Sequence, residues 1–334
     1  MTRSRSASRS ANRQGGSTPE PSPASNARVS GVCPVLETPF TSAGDVDTAS
    51  LLGLVDHLAA IGADALMYPG FASEYLKLTD AERDDQVLQV IVRAKEHGLT
   101  AVASVADHGT HAAVARAERY AAGGASLINI LPPHQLGPGS DAVFAHLVAV
   151  IAAIAPTPAV LQYAPAQTGL ALDAAMIGRL ADVAPNLVQV KVEAQPPGRL
   201  VSALGQAAPR LTSVVGYAGL HLTDALRRGA VGVQPGCSFT ELYLRVWDLW
   251  QSGDRPGATT LHQRMAPYLA TWMQHVEFIV AAEKRISLLR GLIPSDICRA
   301  PGWTLDQEER SQIDRFLTEF ARELATPVRR ETAQ

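Results

Sequence analysis

Of the 29 basic side chains in this 334-residue chain only four are lysine: Lys77, Lys95, Lys191 and Lys284. Three of them stand in polar or helical surroundings and read as solvated. Lys191 differs, because it lies in Leu-Val-Gln-Val-Lys-Val (187–192), whose near-continuous apolar character suits a strand buried on both faces. Desolvation there favours the neutral amine. A neutral amine attacks a carbonyl carbon and forms an iminium, an electron sink for making or breaking the neighbouring C–C or C–O bond. The plainer alternative is a strand-end lysine whose ammonium reaches solvent. Glu193 is two residues further on, so it shares a strand face with Lys191 and is placed to act as general acid or base. His108, His134, Tyr68 and Tyr217 lie in or beside other apolar runs and are further side chains able to carry a proton.

The elements that would position this chemistry follow a rhythm. Short runs rich in Val, Ile and Leu occur at 32–36, 65–68, 100–105, 127–131, 159–163, 187–192, 211–215 and 230–234. Helical periodicity lies between them, as in 49–61 and 80–97. The second of these opens on Thr79-Asp80-Ala81-Glu82, a capping box. Gly62, Gly98, Gly123 and Gly229 follow such segments, where a left-handed residue closes a helix. Eight strand–helix units in about 200 residues predict a (β/α)8 barrel, with an open doubly wound sheet as the alternative. The latter lacks the G-x-G-x-x-G of its dinucleotide-binding form. Three helical stretches, 241–252, 258–293 (broken internally) and 305–324, predict a C-terminal helical extension. The expected organisation is a disordered tail at 1–30, a barrel at 31–252, a helical subdomain at 253–325 and a second tail at 326–334.

Composition narrows the function further. The first 30 residues hold eight Ser, five Arg and a single acid, too polar to offset their ordering entropy. They lack the apolar core of a secretory signal. A net charge of −3 argues against nucleic-acid binding, and no apolar stretch reaches the roughly 20 residues of a membrane helix. Cys33, Cys237 and Cys298, odd in number and far apart, suit neither a disulfide framework nor a zinc cluster, so a reducing, cytoplasmic setting is expected. No His/Asp/Glu spacing marks a metal site, and none is expected.

Several motifs then occur in a telling order: Thr38-Pro39-Phe40 after the first run, Gly70-Phe71-Ala72-Ser73-Glu74 after the second, and Pro132-Pro133 after the fourth. Pro165 with Thr168-Gly169 follows the fifth run, Lys191 lies in the sixth, and Gly216 follows the seventh. From about Gly31 to Leu324 the chain resembles the dihydrodipicolinate synthase/N-acetylneuraminate lyase family of Schiff-base aldolases. The resemblance implies a barrel with a C-terminal helical subdomain, Lys191 as the Schiff-base lysine, a pyruvate-like 2-oxo acid substrate and no cofactor. It also implies a homo-oligomer, tetramer or dimer.

The departures from the family pattern are as informative. The usual G-T-T-G-E loses both threonines, leaving Gly70, Ala72 and the Ser73 hydroxyl, with the surrounding amides, to hold the substrate anion. The proton-shuttling tyrosine of the fifth strand aligns with Gln162, and Tyr163 comes one step later, where alternation turns it toward the helices. Glutamine can hydrogen-bond but cannot transfer protons near neutral pH. Gln167 replaces an arginine, and His134 and Gln135 replace paired tyrosines. Catalytic candidates are therefore Lys191, Glu193, Gln162 and Tyr163. Substrate-binding candidates are Gly70, Ala72, Ser73, His134, Gln167 and Gly216. The expected reaction is an aldol or retro-aldol cleavage, or a dehydration, on a substrate bulkier than that of the lysine-pathway synthase. The alternatives are a barrel that has lost catalysis and only binds a small molecule, and an unrelated barrel acting on phosphorylated substrates.

Overall fold

The computed structural model describes residues 27–325. Of the tails expected at 1–30 and 326–334, residues 1–26 and 326–334 lie outside the described residues. Eight parallel strands run β1 (Gly31–Val32), β2 (Ala65–Tyr68), β3 (Thr100–Val105), β4 (Leu127–Ile130), β5 (Ala159–Tyr163), β6 (Leu187–Val192), β7 (Thr212–Val215) and β8 (Gly232–Val233). From β2 to β8 each strand pairs with its sequence neighbour, and β1 pairs with β8. Beyond β1, Val35 bridges both Met67 and Gly236, which closes the circle into a (β/α)8 barrel with helices between the strands. The capping box at Thr79 forms as its spacing predicts. The first and eighth strands are only two residues long against apolar runs of five, and the fourth and seventh each fall one residue short of theirs.

Strand alternation divides the interior. One set of side chains packs between strands and helices; the other fills the lumen with Cys33, Val35, Ala65, Met67, Val102, Leu127, Val160, Val188 and Val214. One inward position higher, the same strands carry polar groups: Ser104 above Val102, Asn129 above Leu127 and Gln162 above Val160. The floor is largely apolar and the mouth is polar, as suits a barrel active at the carboxyl ends of its strands. The folded part begins earlier than residue 31. Val29 is 1% exposed and packs into the base of the lumen, and the Gln189 amide donates to its carbonyl at 2.8 Å. A lone valine in a polar stretch carries no periodicity, so only the barrel base reveals its place.

The C-terminal extension comprises helices Arg255–Trp272, Val276–Leu289, Gln307–Glu319 and Ala321–Ala325. The long helical stretch breaks at Met273, and the His275 ring accepts the Glu277 amide to start the next helix. Trp272, Phe316, Phe320 and Tyr268 stack into one aromatic cluster, so their role is packing. Two lysines expected to be solvated are not. Lys284 is 0% exposed, paired with Glu74 and donating to the Ile297 carbonyl at 2.8 Å; Lys77 bridges Glu74 and Glu277. These pairs tie the C-terminal helix to the loop after β2, an arrangement the surrounding sequence does not display.

Candidate active site

At the carboxyl ends of the strands lies a cavity of ≈ 70 Å³. One water needs about 10–15 Å³ by the same measure, so the space suits a ligand of a few heavy atoms. Strand β6 supplies its reactive wall. Lys191 pairs in register with Gln162 of β5 and Val214 of β7, which sends its side chain inward, 4% exposed. Its Nζ lies 3.5 Å from Glu193 Oε1. That is an ion pair at longer than hydrogen-bond distance, with open cavity beside it.

Glu193 is held more firmly than Lys191. Gln162 Nε2 donates to its Oε2 at 2.6 Å, and the Tyr217 amide donates to its Oε1 at 3.3 Å. Asn129 in turn donates to Gln162 Oε1 at 2.7 Å and to Ser104 Oγ at 2.8 Å. One chain of hydrogen bonds thus crosses β3, β4, β5 and β6 and ends on the carboxylate beside the amine. A Cβ at Gly216 would overlap the Glu193 carboxylate, so glycine there makes room for it. Tyr217 and Ala218 both take left-handed φ (57° and 50°), a conformation costing roughly 1–3 kcal/mol each in non-glycine residues. That strained turn aims the Tyr217 amide at Glu193 and lays both residues along the cavity.

The other candidates divide. Ala72 and Gln167 line the cavity, and the Gln167 Oε1 is buried without a partner. Tyr163 points away: it packs among the outer core, and its hydroxyl accepts the Leu172 amide at 3.1 Å. Ser73 is not free to hold an anion. Its hydroxyl donates to the Leu36 carbonyl and accepts the Gly70 amide, while its own N–H donates to the Gly70 carbonyl at 2.9 Å. The turn that was to cradle a ligand spends that serine on itself. Gly70 packs against Val35 and faces a second space of ≈ 10 Å³ beside Gln162 rather than the main cavity. His134 turns back on its own loop, Nδ1 lying 3.1 Å from the Pro132 carbonyl, outside the cavity. His108 is also absent from the lining, and Tyr68 faces the helices, bonded to Thr38. Burial raises the Tyr68 phenol well above its ordinary range.

Sequence reasoning missed groups that arrive from distant segments. Glu283, Met273, Val276 and Ile279 reach the cavity from the C-terminal helices, and Gln234 and Pro235 from the β8 end. Charged residues inside otherwise apolar stretches, Glu37 in Val-Leu-Glu-Thr and Glu283-Lys284 after Val-Ala-Ala, were the available signal. Among the described residues no group of three or more His, Cys, Asp or Glu could hold a metal ion.

Comparison with known proteins places this geometry. The model of the dihydrodipicolinate synthetase family matches residues 28–320. A 4-hydroxy-tetrahydrodipicolinate synthase of Synechococcus sp. (strain CC9605) is 29% identical over 238 residues, 71% of this chain and 78% of its own length. An L-2-keto-3-deoxyarabonate dehydratase of Azospirillum brasilense is 25% identical over 304 residues, 86% of this chain and 94% of its own. Among solved structures, dihydrodipicolinate synthase from Rhodopseudomonas palustris superimposes with a TM-score of 0.81 at 26% identity, covering 87% of this chain and 97% of that one. The chain belongs to the dihydrodipicolinate synthetase family and is a carbon–carbon or carbon–oxygen lyase of its Schiff-base aldolase kind.

Proposed function

We propose that Lys191 forms the Schiff base with the C2 carbonyl of a pyruvate-like 2-oxo acid, and that Glu193 moves the protons. The observation that carries this reading is the meeting of the Lys191 amine and the Glu193 carboxylate, 3.5 Å apart, on the wall of a cavity sized for a small acid. Lys191 passes a proton to Glu193, the amine so freed adds to C2, and Glu193 hands that proton to the carbinolamine oxygen so that water departs and the iminium forms. Glu193 then accepts a proton from C3, and the electron pair moves into the iminium to give the enamine. From there a C3–C4 bond forms or breaks, or a C4 hydroxyl is lost. Gln162 transfers no proton and keeps Glu193 in place. Gln167 offers an amide donor to the substrate carboxylate where the family has an arginine, and Ala72 leaves it room.

The absent phenol at 162 and the absent arginine at 167 favour a specialised aldolase or dehydratase over dihydrodipicolinate synthesis. The test is borohydride trapping of the full chain with a panel of 2-oxo acids, read by peptide mass. A mass increase on Lys191, absent in Lys191→Ala, is expected. Tight binding of a 2-oxo acid without any adduct would instead make the barrel a binding protein. Efficient condensation of pyruvate with aspartate semialdehyde would overturn the preference for another substrate. A homo-oligomer, dimer or tetramer, belongs to the same reading. Leu136, 83% exposed beside His134 and Gln135, supports it, and light scattering that returns a monomer rejects it. A cytoplasmic setting is favoured by three unpaired cysteines.

A further inference from the structure

Glu283 enters the cavity from helix Val276–Leu289, far in sequence from the strands that carry Lys191 and Glu193. Its seat is built. A Cβ at Gly236 would overlap its carboxyl, so the glycine is what admits it. The Ser238 hydroxyl and amide donate to its Oε2 at 3.1 and 3.4 Å. Glu37, at the mouth end of the first strand run, is 2% exposed, with the Ser287 hydroxyl beside its carboxyl. A second cavity group is unspent: Gln234, 2% exposed, has a buried Oε1 with no partner. Lys191 is the only cation among the lining residues, facing two carboxyl groups.

We propose that Glu283 is the proton donor to the oxygen on C4 of the substrate and that Gln234 accepts from a distal hydroxyl. This rests on the Schiff-base reading and names its second acid and its substrate class: a 2-oxo acid whose far end carries hydroxyl or carbonyl oxygen and no second carboxylate. In the joining direction the enamine C3 attacks an aldehyde carbon. The C=O π pair takes the Glu283 proton to become O–H, and the iminium returns. In dehydration Glu193 takes the C3 proton, the C4–O bond breaks with its electron pair, and hydroxide leaves as water with the Glu283 proton. Solvent reprotonates Glu283 through the mouth.

The surroundings agree. Burial raises the Glu283 carboxyl to about 8, and the neighbouring Glu37 charge adds to the rise. Burial raises Glu37 to about 7, with Ser287, Lys284 and Glu74 acting on it. Cys237 feels both carboxyls, and Tyr243 faces Glu283 from helix Thr240–Gln251. Lys191 and Glu193 face it across the cavity.

The test uses the full chain with pyruvate, and with glycolaldehyde and benzaldehyde as probe acceptors. Glu283→Gln should keep borohydride trapping on Lys191 and pyruvate C3 hydrogen–deuterium exchange. It should lose joining to the aldehydes by roughly 10²-fold or more. Infrared spectra of the wild type should show a protonated-carboxyl C=O stretch at pH 7 that disappears on raising the pH past 9. Joining that survives in Glu283→Gln overturns the proposal, as do exchange and joining lost in parallel. So does the absence of the infrared band, or a wild type that traps pyruvate yet joins it to neither aldehyde. Failure of the wild type to trap any 2-oxo acid overturns the Lys191 reading itself, and this proposal with it.

Discussion

Lys191 and Lys284 are both buried, and each is paired with a glutamate, yet only one of them is free to react. Lys284 is saturated: Glu74 holds it, the Ile297 carbonyl accepts from it, and it lies 4.2 Å over the Phe40 ring. Glu74 in turn binds Lys77 and the Arg299 amide. Lys191 has one carboxylate at 3.5 Å and a cavity on its open side. A buried ammonium with every donor engaged fixes two segments together, whereas one left partly unpaired beside a void is available to a ligand. The difference lies in the company each lysine keeps, not in its burial.

That contrast breaks most readily at the two lysines. Lys191→Ala should lower turnover on the order of 10⁴-fold or more, as removal of a nucleophile does, with the thermal midpoint little changed. A substituted protein that still turns over would mean that the two lysines do not differ in kind. Lys284→Met should cost about 3–5 kcal/mol in urea unfolding, because Glu74 is left buried beside a lost partner. Whatever remains folded should still trap a 2-oxo acid, and adding Glu74→Gln should restore part of the stability. A Lys284→Met protein as stable as the wild type would make its ion pair ornamental.

The carboxyls of the mouth sharpen the comparison through pH. Glu37 and Glu283 have raised folded-state values, about 7 and about 8 against an ordinary 4.5, so the folded state holds their protons longer than the unfolded chain does. Their contribution to stability is complete below pH 4.5 and is lost as pH rises through 7 and 8. Denaturant midpoints of Glu283→Gln should therefore exceed those of the wild type at pH 9 and converge with them toward pH 5. A difference that stays constant from pH 5 to pH 9 would show that the fold does not hold their protons. The smallest effects belong to Ser73 and His134. Ser73→Ala should cost about 1 kcal/mol through its turn hydrogen bonds, and neither it nor His134→Ala should change the KM for a 2-oxo acid more than roughly twofold, given what both side chains already bond. A large KM effect would return them to the binding site.

Most of the barrel was readable before any coordinates. Runs of Val, Ile and Leu with no polar alternation mark strands covered on both faces, and the period of the unit leaves few ways to arrange eight of them. Within the site, alternation along one strand was enough to put Lys191 and Glu193 on one face and to separate Gln162 from Tyr163. That Ser73 and His134 bond within their own loops was not legible, because loop geometry is not periodic. Lys284 looked like surface charge because Glu74 lies 210 residues away, and Lys77 because Glu277, which buries it with Glu74, lies 200 residues away.

The amino-acid sequence by itself determined which chemistry is present: a scarce lysine in an apolar strand, a carboxylate two residues on, and an amide where a phenol would stand. Those are properties of a single strand, carried by a period of two. Only the tertiary structure decided which charges are spent and which are available. The seat of Glu283 depends on a glycine in the β8 loop and a serine two residues beyond it. Burial and charge act through space, and barrel closure makes neighbours of residues that the chain keeps far apart.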